Sequence, residues 1–527
     1  MTSDSLSPDK RTDYYPVALA LAVLLMVLLR CAWVTDDAFI TFRTVDNLWH
    51  GYGLTWNVAE RVQTYTHPLW MFLLAGAYGI TGELYFTSMG LGVLLTLATV
   101  WLLISRLAEG AMSALLAVTC LACSKAFIDF STSGLENPLT HLLLILFIYI
   151  ALRKPDDRRS FAWLAFLAAL LMLTRMDLSL IVLPELLVRF IRHFGWKTIG
   201  LFCIAFSPFL LWVLFADWYY GSPFPNTAYA KLIHNFSTSA ILWRGVEYLF
   251  VTLVDDPLTL VVTLAAWVIP FISQQRRLIP IALGSMLYVL FVVKIGGDFM
   301  LGRFLTAPFL IGVILLTHLR LPRNTAVILM TIALVSGLAM RRSSLLSGTN
   351  YDMSLYSTFR DGIFDERAHY YHATGLLNAA PRHGEILHSH AQTGRTAREH
   401  GVRLLVTHAI GMCGYYAGPD VYLIDLATLA DPLMARLRPL KSCKLWIAHH
   451  WRGIPAGYQD SIETDQNLIK TPSLAEYYDH IRLVTRGNLW DWNRLKTIWD
   501  LNLGRYDHLI KPDEILYEEP RDNLVYP

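Results

Sequence analysis

From Pro16 to Met340 the chain alternates apolar runs with short polar breaks. A bilayer crossing needs about 20 residues, within a range of roughly 17–25. The pattern predicts spans near 16–34, 88–105, 112–129, 137–152, 161–174, 178–193, 198–215, 257–273, 278–294, 302–319 and 323–340. That makes a polytopic α-helical membrane protein with about 11 spans, an odd number. One further apolar segment, 68–82, breaks the alternation of sides. It reads either as a half-helix dipping in from the outer face or as a sign that a later segment is re-entrant.

After Met340 the periodicity becomes that of soluble structure, so 1–340 reads as a transmembrane domain and 341–527 as a soluble one. "RLLVTHAIG" (403–411) and "VYLIDLA" (421–427) predict strands with "GYYAGPD" as the turn between them. "TPSLAEYYDHIRLVTR" (471–486) predicts a helix with a Ser cap. The expected fold of this part is α+β.

Composition agrees with the pattern. Of 527 residues 54% are hydrophobic and 16% charged, with a mean hydropathy of +0.40, against roughly 25% charged in soluble domains. A formal net charge of +2 gives no bulk field for nucleic acid. No cleavable signal peptide is expected, because the first apolar run lacks a small-residue cleavage site. Basic loops set the orientation. "LRKPDDRRS" (152–160), "RFIRHFGWK" (189–197), "QQRR" (274–277) and "HLRLPR" (318–323) are assigned to the cytoplasmic side. The outer set then holds "STSGLEN" (131–137), "TRMD" (174–177), "DWYYGSPFPNTAYAK" (217–231), "GGDF" (296–299), the soluble domain and the acids Asp36 and Asp37. Cys120 and Cys123 lie in an apolar run and read as packing residues. Cys413 and Cys443 are a conceivable disulfide if their domain is exported.

Candidate chemistry gathers on that outer set. "WVTDDAFITFR" (33–43) ends a span on two adjacent acids, followed by a predicted amphipathic helix (about 37–50), a Gly-rich turn and an extended piece, with Trp49 and Trp56 as interface anchors. One aspartate suffices to cap a helix; the pair leaves one for chemistry. Arg175 follows an apolar run directly, where an ionisable group is a functional hypothesis, set against a structural pairing with Asp177 or Glu136. Lys294, Asp298 and Arg303 fall within "KIGGDFMLGRFL", where Arg303 is suited to clamp a phosphate or, more plainly, to pair with Asp298. Lys231 and His67 are further candidates for substrate contact. "HSH" (388–390) and "HH" (449–450) complete no metal-site spacing, and no metal is expected. Cations holding a lipid-linked phosphate, with a carboxylate activating an incoming hydroxyl, amount to glycosyl transfer from a polyprenyl phosphate.

The segment "DDAFITFR…NLWHGYGLTWNVAERVQTYTHPLW" resembles the first outer loop of membrane arabinofuranosyltransferases similar to arabinofuranosyltransferase B of mycobacterial cell walls. "TSGLEN", "LTRMD", "PNTAYAK", "GGDFMLGRF" and "GYYAGPDVYLIDLATLADPLMARL…HHWRGIPAGY" follow in that family's order, over about 30–490. The resemblance implies the glycosyltransferase C-type fold with an outer soluble domain, in a bacterial plasma membrane. It implies a decaprenyl-phosphoryl-arabinofuranose donor, a cell-envelope glycan acceptor and no cofactor beyond that donor. Carried over, Asp36 and Asp37 match the catalytic loop acids, Asp298 and Arg303 the GGDF-and-Arg motif, and Arg175 the outer-edge arginine. "TRMD" departs from a more usual Pro-Asp/Glu form, which leaves open another lipid-linked sugar passed to lipopolysaccharide or glycoprotein. A lipid-linked-sugar transporter is the alternative of another class; it calls for related halves, and no internal repeat is visible.

Overall fold

The computed structural model describes residues 15–319, 321–348, 362–378, 386–440, 447 and 449–521, and the chain is predominantly helical. It divides into two compact units. The first comprises Met1–Val34, Ser88–Ser207 and Ser239–His383; the second comprises Thr35–Thr87, Pro208–Thr238 and Gly384–Pro527.

The apolar runs become helices within a few residues of their expected bounds, among them Tyr15–Cys31, Asn137–Arg153, Arg158–Thr174, Ser179–Arg192, Pro257–Ile272, Ile279–Lys294 and Arg323–Ala339. Among the described residues, three helical stretches are long and apolar enough to cross a membrane: Tyr85–Leu107, Trp196–Tyr220 and Arg276–Lys294. The number rises to five if each of two bent helix pairs is one span, and several other apolar helices are shorter. The segment 68–82 is a 14-residue helix, Pro68–Thr81.

In the first unit the helices pack closely. A Cβ at Gly284 on Ile279–Lys294 would meet the carbonyl carbon of Ile181 at 2.8 Å, so only glycine permits this approach to Ser179–Arg192. The expected span 112–129 is two helices, Ala111–Cys123 and Lys125–Phe130. Ser124 ends the first, caps the amide of Phe127 at 3.1 Å and shares a 2.6 Å hydrogen bond with the Thr259 hydroxyl.

Helix Thr238–Asp255 has no counterpart among the expected spans. Its apolar face is interrupted by Arg244, Glu247 and Asp255, and it bends by 117° into Pro257–Ile272.

The second unit is α+β. Strands Leu404–Thr407 and Tyr422–Asp425 pair in parallel, Leu404 opposite Tyr422. Parallel strands need a crossover rather than a tight turn. "GYYAGPD" is accordingly not a turn: its first four residues complete helix Gly411–Ala417. A two-residue antiparallel pair joins Ile454–Pro455 to Tyr517–Glu518. Helix Pro472–Arg486 forms as expected, but Thr471 occupies the cap position and Pro472 the first turn, so Ser473 is no cap. Leu404, Val406, Ile424, Tyr458, Leu474 and Tyr477 form the core between these elements.

Candidate functional site

The eight candidate residues divide between the units. Asp36, Asp37, His67 and Lys231 belong to the second; Glu136, Arg175, Asp298 and Arg303 belong to the first.

In the second unit the loop acids open helix Asp36–Trp49. Asp36 is buried, and its carboxylate accepts from the Gly411 amide at 3.1 Å and the Met412 amide at 2.8 Å. These are the first amides of helix Gly411–Ala417, whose unsatisfied N–H groups and positive end favour an anion. Two turns along, about 10 Å, Arg43 reaches the other end of the same short helix. It donates to the carbonyls of Gly414 at 2.5 Å, Val421 at 2.9 Å and Trp56 at 2.8 Å. Its guanidinium lies 4.5 Å over the Trp56 ring. One helix face thus offers an anion to the start of its neighbour and a cation to its end. Trp56 is 1% exposed and is no interface anchor, whereas Trp49 is half exposed.

The ring nitrogen Nδ1 of His390 stands 3.8 Å from Asp36. Burial pushes the Asp36 carboxyl up, but His390, the Met412 amide and the charge of His388 outweigh it, and the net displacement is downward. The charge of Asp36 also reaches His408 and His449. Burial pushes the His449 ring down to about 4, with Lys231 among the cations that add to the effect. Asp37 is half-buried. His67 is buried and shares a 2.8 Å hydrogen bond with Thr41 on the same helix as the acids. Lys231 is exposed at the end of helix Asn226–Leu232.

Further acids are buried in this unit. Burial raises Asp425 to about 6, and burial with the charge of Glu60 raises Asp431 to about 7.

In the first unit Glu136 is fully buried and takes two arginines. Arg303 Nη2 donates to both of its oxygens, at 3.1 and 3.2 Å, and Arg175 Nη1 lies 3.6 Å away. Arg175 is held again by Asp177, at 3.0 and 2.5 Å, and its guanidinium sits 4.0 Å over the Phe304 ring. Tyr288 donates to the same Asp177 at 3.2 Å. Both structural pairings expected for Arg175 are therefore formed. Arg303 pairs with Glu136 rather than with Asp298, which is buried and accepts the Phe299 amide at 2.9 Å. Two arginines and two carboxylates balance in charge; Glu136 orients the Arg303 fork and Asp177 the Arg175 fork.

Two clusters had little signal in the reading of the sequence. "HSH" has no third ligand at metal-site spacing, and Asp36, the neighbour of His390, is far away in the chain. Among the described residues no group of three or more His, Cys, Asp or Glu is placed to hold a metal ion. The second cluster is a buried ion network in the first unit. Lys125 lies between Asp129 and Asp365, Arg367 reaches Asp129 at 2.7 Å, and Arg342 reaches Asp365 at 3.1 Å. A lysine and an aspartate four residues apart inside an apolar run were its visible sign. Cys120 and Cys123 are buried thiols, Cys413 is a buried free thiol, and Cys443 lies outside the described residues.

No family model matches the chain. Over 505 residues it is 27% identical to a terminal beta-(1->2)-arabinofuranosyltransferase of Mycobacterium tuberculosis, covering 78% of this chain and 80% of that protein. A protein of the same name from Corynebacterium glutamicum is 26% identical over 323 residues, 52% of this chain and 46% of that protein. Among solved structures, ArnT from Cupriavidus metallidurans bound to undecaprenyl phosphate is 14% identical with a TM-score of 0.46, covering 79% of this chain and 86% of that one. The arabinofuranosyltransferase AftD from Mycobacteria is 14% identical with a TM-score of 0.36, covering 75% and 29%. The likeness read from the loop motifs thus extends, in sequence, over most of the chain to curated arabinofuranosyltransferases.

Proposed function

We propose that the chain is a membrane glycosyltransferase that passes arabinofuranose from a polyprenyl phosphate to a cell-envelope glycan at the outer face of the plasma membrane, with Asp37 as general base. The sequence likeness to terminal arabinofuranosyltransferases supports the reaction class.

The observation that carries the choice of base is the pair of amides on Asp36. A carboxylate that accepts two N–H bonds at a helix start is stabilised as the anion and has fewer lone pairs for a substrate proton. Asp37 stands about 100° round the helix from it and is half-buried. In this reading Asp36 anchors the loop helix and Asp37 takes the proton of the acceptor hydroxyl. The acceptor oxygen forms the new bond to the sugar, and the bond to the lipid phosphate breaks. Arg303, oriented by Glu136, and Arg175, oriented by Asp177, are proposed to stabilise the leaving phosphate. Lys231, Asp298 and His67 remain proposed substrate contacts.

The test uses purified protein, labelled polyprenyl-phosphate arabinofuranose and an arabinan acceptor. Asp37→Asn is expected to lower transfer by roughly 10²–10⁴-fold with unchanged thermal stability. Asp36→Asn is expected to lower stability first and to retain turnover in the folded fraction. Wild-type turnover in Asp37→Asn sinks the base assignment. Failure of the wild-type protein to consume the donor sinks the donor assignment, and unchanged donor affinity in Arg303→Ala removes the clamp.

A further inference from the structure

Three loops assigned by charge to the cytoplasmic side, or lying at the same helix ends, meet around a cavity of about 710 Å³ in the first unit. It lies at the C-terminal end of helix Thr306–Leu316, whereas Arg303 lies at the N-terminal end. Eleven residues at 1.5 Å each separate the two by about 16 Å, so the cavity is distinct from the Glu136 cluster.

Its polar wall carries Ser273, Gln275, Arg276 and Arg277, with both arginines exposed. Glu109 is the single acid in the lining, so the three charges sum to one positive. Two hydrogen bonds tie the wall together. Gln275 Nε2 donates to the His318 carbonyl at 3.0 Å, and Arg277 Nη2 donates to Gln275 Oε1 at 3.1 Å. Before them Gln274 adopts a φ of 54°, a left-handed conformation rare outside glycine.

His318 is the telling residue. It is 1% exposed yet lines the cavity. Its Nδ1 is 3.0 Å from the Ile314 carbonyl, which can only accept, so Nδ1 carries the hydrogen. Nε2 then has no hydrogen-bond partner among the described residues. A buried polar atom without a partner is costly and points to a group that the protein binds. The rest of the lining is apolar, with Ile272, Leu319 and Leu321.

We propose that this cavity binds a phosphate ester anion, presented as the headgroup of an anionic lipid in the cytoplasmic leaflet. Planar guanidinium forks match two phosphate oxygens at once. His318 Nε2, an acceptor in the neutral ring, would take a hydrogen bond from a headgroup hydroxyl. The apolar wall accommodates the glycerol and the first acyl carbons. Charge alone already orients basic loops inward; the cavity and the unmet imidazole nitrogen are what that rule does not require.

The full-length protein is placed in phosphatidylcholine nanodiscs, with and without phosphatidylglycerol, and in phosphatidylcholine with inorganic phosphate added. Thermal unfolding and native mass spectrometry of retained lipid are the readouts. Phosphatidylglycerol is expected to raise the unfolding midpoint and to be retained. The Arg276→Gln/Arg277→Gln variant is expected to lose that rise and to retain roughly tenfold less of the lipid. His318→Gln supplies a second, uncharged perturbation with the same expected direction. Arg158→Gln/Arg159→Gln removes equal charge from the exposed start of helix Arg158–Thr174 and is expected to keep the wild-type response. A rise with inorganic phosphate alone supports the anion site and assigns it to a soluble phosphate. Equal loss in both double variants, or an unchanged response in Arg276→Gln/Arg277→Gln, overturns the proposal.

Discussion

Asp36 and Glu136 are both buried carboxylates at the start of helices, and they are held in opposite ways. Asp36 accepts two neutral amides from a short helix, beside a histidine. Glu136 accepts Arg303 through both oxygens and forms an ion pair with Arg175 at 3.6 Å. Neutral donors orient an acid and leave its charge in place. Charged donors cancel that charge, and each partner then depends on the other to justify its own burial. The first arrangement suits the loop helix on which Asp37 is proposed as the base. The second suits a pair of guanidiniums kept in fixed orientation.

The largest effect expected from this contrast is at Glu136. Glu136→Gln leaves the Arg303 fork without its carboxylate inside the protein, at a cost of about 3–5 kcal/mol. Thermal unfolding in detergent checks this. A midpoint equal to wild type would mean that the guanidiniums find water or another acid, and the contrast would lose one side.

Next comes Gly411. A Cβ there would collide with Asp36, reaching its carboxylate oxygen at 2.5 Å and its backbone carbonyl as well. Gly411→Ala must push the amides off the acid, at about 1–3 kcal/mol. Transfer by the folded protein is expected to fall too, because the loop helix shifts with Asp36. Full stability in this variant would show that the two amides do not anchor the loop.

The smallest effect depends on pH. Asp431 accepts the Leu433 and Met434 amides on one oxygen and the Tyr458 hydroxyl on the other, and its carboxyl is raised to about 7. Its unfolded value is about 3.9. A raised folded value favours the protonated form, so the contribution is full below the unfolded value and is lost as pH rises through about 7. Asp431→Asn carries no charge at any pH. Between about pH 5 and about pH 8 its stability is expected to change less than that of wild type. Parallel curves for the two proteins would show that Asp431 does not titrate in this range. Asp36, displaced downward, contributes in the reverse sense, losing stability on acidification.

Most helices were legible because a 20-residue apolar run has few other fates. Thr238–Asp255 was not, because three charged residues dilute its apolar face below what a span requires. "GYYAGPD" reads as a turn because its glycines signal one locally, whereas the parallel pairing of its flanking strands forces a helical crossover. The strands themselves were visible in "RLLVT" and "VYLID", each a short apolar run. Asp36 and Asp37 stood out as a pair, yet nothing in the first loop could show that Gly411 and Met412 supply amides to one of them. For Arg175 the sequence offers Asp177 and Glu136 as partners, and both pairings form. The pairing of Arg303 with Glu136 was missed because 167 residues separate them, while Asp298 lay close in the chain and drew the assignment.

The partners of Asp36 have a consequence for the order of events in biosynthesis. The first loop emerges early, but the amides that hold it are 375 and 376 residues further on. At roughly 5–20 residues per second, the loop waits on the order of 20–75 s for its anchor. Until then its acids have no helix start to cap. A nascent chain therefore carries an unfinished loop through most of its synthesis, and completion of the loop is coupled to arrival of the final third of the polypeptide.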